Sequence, residues 1–185
     1  MTILWCFLSI LKEFSEIGSW GPQKDLAGGV EVIRALVAGV TAEEARPRPA
    51  PEAWSILEVI CHLGDVERED FRQRLNIILN RSDEKFPVID PESWIIGRQY
   101  NERDLTEMVD KFVAERAQSL AWLKGLSEPD WETEYADEYG TMKAGELLAA
   151  WVAHDNLHMR QLVELRRARL VNLTAPYDVS YAGEW

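Results

Sequence analysis

Apolar residues recur along this chain at three- and four-residue steps, in four long stretches separated by proline and glycine. The first runs from about Lys24 to Val40, where Leu26, Val30, Ile33, Leu36, Val37 and Val40 share one side of a 3.6-residue repeat. Arg46-Pro47-Arg48-Pro49-Ala50-Pro51 then ends any helix, because each proline lacks a donor and restricts the residue before it. The second opens on Ser55-Ile56-Leu57-Glu58, a capping box in which the hydroxyl takes an orphan amide and Glu58 reaches back. It continues to about Asn80 through Ile60, Leu63, Phe71, Leu75 and Ile78, and a loop with Phe86, Pro87, Pro91 and Trp94 follows. The third starts near Asn101 to Asp104 and reaches about Lys124, with Leu105, Met108, Val109, Phe112, Leu120 and Leu123 on its apolar face. Gly125 and Pro129 end it, and the acidic, aromatic segment Trp131 to Gly140 reads as loop. The fourth begins after Thr141 as N-cap and runs to about Arg169. With no long strand pattern, four such helices predict an all-α four-helix bundle.

The inward stripe of the fourth helix is apolar at its ends and polar in its middle. Leu147, Trp151, His154, His158, Gln161, Leu162 and Leu165 fall on one face at 100° per residue. Two imidazoles and an amide therefore stand where burial is expected, and each costs about 1–3 kcal/mol if left without a partner. His154 and His158 are one turn apart on the same side, the spacing with which helices present two imidazoles to one metal ion. Two ligands are too few for a tight site. The chain has 3 histidines, and the third, His62, lies mid-way along the second helix at the edge of its apolar face. A divalent ion held by three neutral nitrogens keeps its charge and an open position, where a water or thiol is acidified toward a nucleophile. Thiol chemistry would then lead to attack on an electrophilic carbon, and water to hydrolysis.

Nearby residues rank lower. Gln161 shares the ligand face and could hold a bound water or substrate, or simply make a bundle hydrogen bond. Asp155 follows His154 but points about 100° away from it. Glu58, Asp65 and Glu69 lie on the side of His62 and could accept the other ring N–H or act as base, or be solvated. Trp151 reads as core, and Tyr135 and Tyr139 precede the fourth helix where they could cap the site. Cys61 adjoins His62, but consecutive helical residues diverge, so it reads as a buried inert thiol.

Length and charge narrow the function. With 185 residues and 46% hydrophobic composition, one domain with a real core is the default. Lys plus Arg number 20 against 32 Asp plus Glu, a net charge of −12 that disfavours nucleic acid and anionic lipid as partners. The basic run Arg166, Arg167, Arg169 is expected to complement a helix C-terminus. Only 2 cysteines, Cys6 and Cys61, indicate a reducing compartment rather than a disulfide framework, and hence the cytoplasm. The apolar stretch of residues 3–11 is too short to span a bilayer and lacks a preceding basic residue. A short amphipathic helix or an over-extended start is expected there instead of a secretion signal.

Two motifs carry a resemblance. Trp54-Ser55-Ile56-Leu57-Glu58-Val59-Ile60-Cys61-His62-Leu63-Gly64-Asp65 and Ala153-His154-Asp155-Asn156-Leu157-His158-Met159-Arg160-Gln161-Leu162 together resemble the DinB/YfiT-like metalloenzyme superfamily. The likeness covers residues 25–170, leaving 1–24 as an extension and 171–185 as a tail expected to pack on the bundle. It implies an up-down-down-up four-helix bundle, often a homodimer, with zinc or nickel held by His62, His154 and His158. It also implies thiol-dependent chemistry: a transferase that joins a low-molecular-weight thiol cosubstrate to a small electrophile. A metal-dependent hydrolase, or a non-catalytic metal- or ligand-binding bundle, are the alternatives.

Overall fold

The computed structural model describes residues 21–185. Expectations for Cys6 and for the apolar stretch 3–11 lie outside the described residues. Helix α1 spans Pro22–Val37, with Pro22 in the first turn, where its missing donor costs nothing. The second long helix is built of α2 (Ile56–Val66), a π-turn (Glu67–Phe71) and α3 (Arg72–Asn80). Its predicted capping box is present: Ser55 Oγ accepts from the Glu58 amide, and Glu58 Oε2 accepts from the Ser55 amide at 2.8 Å. After α4 (Pro91–Gly97) comes α5 (Leu105–Gly125), whose N-cap Asp104 accepts from the Glu107 amide at 2.9 Å. Helix α6 spans Ala144–Thr174.

Register pairs define the topology. Gly64 faces Phe112, Glu67 faces Arg116 and Arg72 faces Ser119, so the second and third long helices run parallel. Gly29 lies against Asp155 and Leu36 against Arg166, so the first and fourth run parallel as well. His62 meets His158 while Phe71 meets Trp151, which makes the second and fourth antiparallel. The bundle is therefore up-down-down-up, and the long connection from Arg81 to Asp104 returns the chain for the parallel pair. One part of the core centres on Ile33, Leu57, Ile60, Leu63, Phe112 and Leu162. A second, toward the other end, centres on Leu26, Leu75, Ile78, Leu148 and Trp151.

The structure corrects the sequence reading at several places. Trp131 to Gly140 is not all loop: β1 (Glu134–Asp137) pairs antiparallel with β2 (Gly140–Lys143). Asp137 Oδ1 accepts from the Tyr139 amide at 2.8 Å, and Gly140 takes φ +137°, so turn chemistry makes this hairpin. Thr141 consequently lies in β2, and the N-cap of α6 is Lys143. Within the expected loop after Asn80, Asp90 and Pro91 start α4, with Asp90 Oδ1 accepting from the Ser93 amide at 3.1 Å. Helix α6 runs on past Arg169, so the three arginines are not at its end. Arg166 donates to the Leu36 carbonyl, Arg169 pairs with Glu44, and Arg167 lies over the Trp185 ring at 5.1 Å. That last contact turns the tail back beside α6. Among the described residues, no helix is long and apolar enough to cross a membrane.

Candidate metal centre

The antiparallel packing of α2 on α6 brings three imidazoles to one point near mid-bundle. His62 and His158 are buried and His154 is half-buried. His154 Nε2 lies 3.2 Å from His62 Nε2 and 3.1 Å from His158 Nε2. One nitrogen from each ring falls within 4.8 Å of the others. Metal–imidazole bonds of about 2.0–2.1 Å in a tetrahedral shell place neighbouring nitrogens about 3.3 Å apart. The observed spacing matches that value.

The proton arrangement points the same way. Gln161 Oε1 sits 2.8 Å from His158 Nδ1, so that nitrogen carries the proton and Nε2 faces inward as a lone pair. A single N–H is a poor match for three converging nitrogens, whereas a cation serves them all. Among the described residues, His62 Nδ1 has no hydrogen-bond partner although buried. Burial, and for His62 and His154 also the facing His158 ring, pushes the imidazoles toward the neutral, ligand-competent form. His62 falls to about 3, His154 to about 2, and His158 is lowered.

Aromatic rings wall the cluster. Trp54 stands edge-on to His62 at 4.9 Å and stacks beside His158 at 6.2 Å. Phe71 packs edge-on to His154 at 5.0 Å and stacks on Trp151 at 5.5 Å. Beside His158 and Gln161 opens a cleft of about 360 Å³, with Glu52, Trp54, Leu157 and Glu164 on its walls. Neither Trp54 nor Phe71 was singled out as a site residue in the sequence; Trp54 directly precedes the capping box, and Phe71 is read there only as core.

The lower-ranked residues take other places. Glu58 closes the capping box and pairs with Arg48. Asp65 accepts from Lys111 at 2.8 Å, Arg98 at 2.6 Å and Tyr100 at 2.7 Å. Burial opposes its charge, but those donors outweigh burial and hold its pKa below the usual carboxylate range. Glu69 pairs with Arg68 and Arg98, so no carboxylate of α2 or its π-turn holds the His62 ring. Asp155 points away from the cluster to Arg116. Trp151 is core, its Nε1 donating to Glu67 Oε2 at 3.0 Å. Tyr135 stacks on Phe86 and accepts from its amide, and Tyr139 is exposed, so neither covers the histidines. Cys61 is buried, its pKa pushed up to about 12 by burial and by nearby Asp65, which makes it an inert thiol.

Comparison with known proteins agrees with this architecture. The family model described as "DinB superfamily" matches residues 27–162. Among solved structures, YfiT from Bacillus subtilis superposes with a TM-score of 0.70. It covers 79% of this chain and 84% of its own, at 16% identity, and therefore establishes the fold. That protein is described as "a probable metal-dependent hydrolase with an unusual four-helix bundle topology".

Proposed function

The chain belongs to the DinB superfamily, and from that premise we propose that it is a divalent-metal enzyme that joins a small thiol to an electrophile. The observation that carries the reading is the convergence of the His62, His154 and His158 ring nitrogens. Zinc or nickel suits three neutral imidazoles. When bound, such an ion supplies Lewis-acid charge that ionises a small nucleophile near neutral pH.

The residues of the chain do the rest. Gln161 fixes the tautomer and plane of His158, which keeps its lone pair directed inward. Trp54 and Phe71 exclude water from the rings and lower the local dielectric, which strengthens every charge interaction there. The cleft beside His158 gives a small substrate its approach.

The surroundings favour a thiol over water. The carboxylates of α2 and its π-turn are spent on arginine, lysine and capping partners, and none accepts from a histidine ring. Glu52 and Glu164 line the cleft instead, and a free thiol with a pKa near about 8.5 needs less help from such a base than water does. Hydrolysis is the second reading, supported by the description of YfiT as a "probable metal-dependent hydrolase". A small-molecule substrate, a homodimeric assembly and a cytoplasmic setting accompany the proposal.

The experiment is turnover of reactive electrophiles by zinc- or nickel-loaded protein across a panel of low-molecular-weight thiols. The proposal expects product only with thiol present and loss of turnover in His154→Ala. Turnover without thiol favours hydrolysis, and no thiol consumed by demonstrably loaded protein overturns the transferase reading.

A further inference from the structure

Below the histidines lies a charged cluster that the proposed chemistry does not use. Arg116 of α5 is 1% exposed, and its ion-pair partners Glu67 and Asp155 have side chains only 2% and 4% exposed. All five guanidinium N–H groups are spent. Nε and Nη2 donate to Glu67 at 2.7 and 2.8 Å, and Nη1 and Nη2 donate to Asp155 at 2.6 and 2.8 Å. The remaining Nη1 hydrogen goes to the Leu26 carbonyl of α1 at 2.8 Å. Trp151 Nε1 completes Glu67. One side chain thus ties all four long helices at one level.

Its placement relative to the ligands is specific. Asp155 directly follows His154, and Glu67 opens the π-turn that begins five residues after His62. That widened turn delivers Glu67 to Arg116 and Phe71 to the edge of His154 in the same few residues. Helix α1 yields room for the cluster: a Cβ on Gly29 would stand 2.7 Å from Asp155 Oδ2. Two carboxylates against one guanidinium leave a net charge of −1, buried where salt and water screen it poorly. A buried ion cluster contributes little net stability compared with apolar packing, so its presence at the centre of the bundle calls for another account. Three neutral histidines bring no negative charge of their own to a dication.

We infer that the Arg116–Glu67–Asp155 cluster is an outer positioning element of the metal centre. The guanidinium locks the two histidine-bearing helices in register, and its two carboxylate partners offset the positive charge that it would otherwise turn on a divalent cation at the histidines. The inference rests on the metal reading above and concerns affinity, so activity is not its readout.

The test is the Kd for zinc and for cobalt, by competition with a chromophoric chelator, in wild type, Asp155→Asn and Glu67→Gln. Each substitution keeps shape and removes one unit of charge. Affinity is expected to fall about tenfold or more in both, with the loss preserved at high salt. A purely structural role would lower the melting temperature of metal-free protein and leave Kd unchanged. Kd within twofold of wild type in both variants overturns the inference. Should Asp155→Asn fail to fold, Glu67→Gln decides alone, since it keeps both Asp155 contacts. Wild type that binds neither metal overturns the metal reading and the inference together.

Discussion

Replacing Arg116 by methionine should be among the most damaging single changes in the fold. The substitution keeps most of the side-chain volume and removes five hydrogen bonds at once. It leaves Glu67 and Asp155 buried with no cation between them and takes from the Leu26 carbonyl the donor it receives beyond its own helix. Removing one partner of a buried ion pair costs about 3–5 kcal/mol. Domains are held by only about 5–15 kcal/mol in total. At this chain length each kcal/mol moves the melting temperature by about 2–4 °C, so the expected fall is about 6–20 °C. The assay is chemical and thermal unfolding followed by circular dichroism, with chelator present so that metal binding does not mask the loss. The cause is separable from lost packing. In the triple variant Arg116→Met, Glu67→Gln, Asp155→Asn no charge is stranded, and at least half of the lost stability should return. A loss under about 1 kcal/mol for the single variant, or a triple variant no more stable than the single, would refute this reasoning.

Four further outcomes follow from contacts described above. Gly29→Ala should destabilise by about 1–2 kcal/mol, because the clash with Asp155 and Met159 exceeds the gain in helix propensity. Among the described residues Gly28→Ala meets nothing within 4 Å and should stabilise by about 0.5–1 kcal/mol, so denaturant melts of the pair should differ in sign. Gln161→Leu should weaken zinc binding about tenfold in chelator competition while the fold persists, since it frees the His158 ring. Metal-free protein should lose stability as pH falls below about 6.5. The unfolded chain protonates His62 near that value, whereas burial keeps the folded ring neutral down to about 3. In that window the unfolded state holds more protons, so ring 62 contributes up to about 1.4 kcal/mol per pH unit. His62→Leu should flatten the profile there, and an unchanged slope would contradict the burial of this ring.

Much of the fold and of the site could be read from the residues alone, for identifiable reasons. The long helices repeat their apolar residues every three to four positions, and Ser55 with Glu58 announces its cap outright. The i, i+4 histidine pair on a buried stripe is a local signal, and His62 followed as the chain's remaining histidine. What stayed hidden depends on partners distant in sequence. Asp155 was seen to point off the histidine face, but nothing local showed that Arg116, 39 positions away, would receive it. Glu67 and Phe71 are placed by a π-turn, which breaks the 100° bookkeeping used to assign faces. The hairpin after Trp131 has strands of only 4 residues and almost no apolar alternation, so turn chemistry makes it and not pattern. Arg166 and Arg169 looked like end-of-helix charges because α6 was expected to stop near Arg169. They serve Leu36 and Glu44 instead.

The central claim is that His62, His154 and His158 hold one divalent ion. Its most direct test is elemental analysis of tag-free protein, wild type beside His158→Ala, as purified and after reconstitution with zinc or nickel. The account predicts about one equivalent of metal in the wild type and almost none in the variant. No bound metal in either protein after reconstitution would contradict it and leave the three converging nitrogens unexplained.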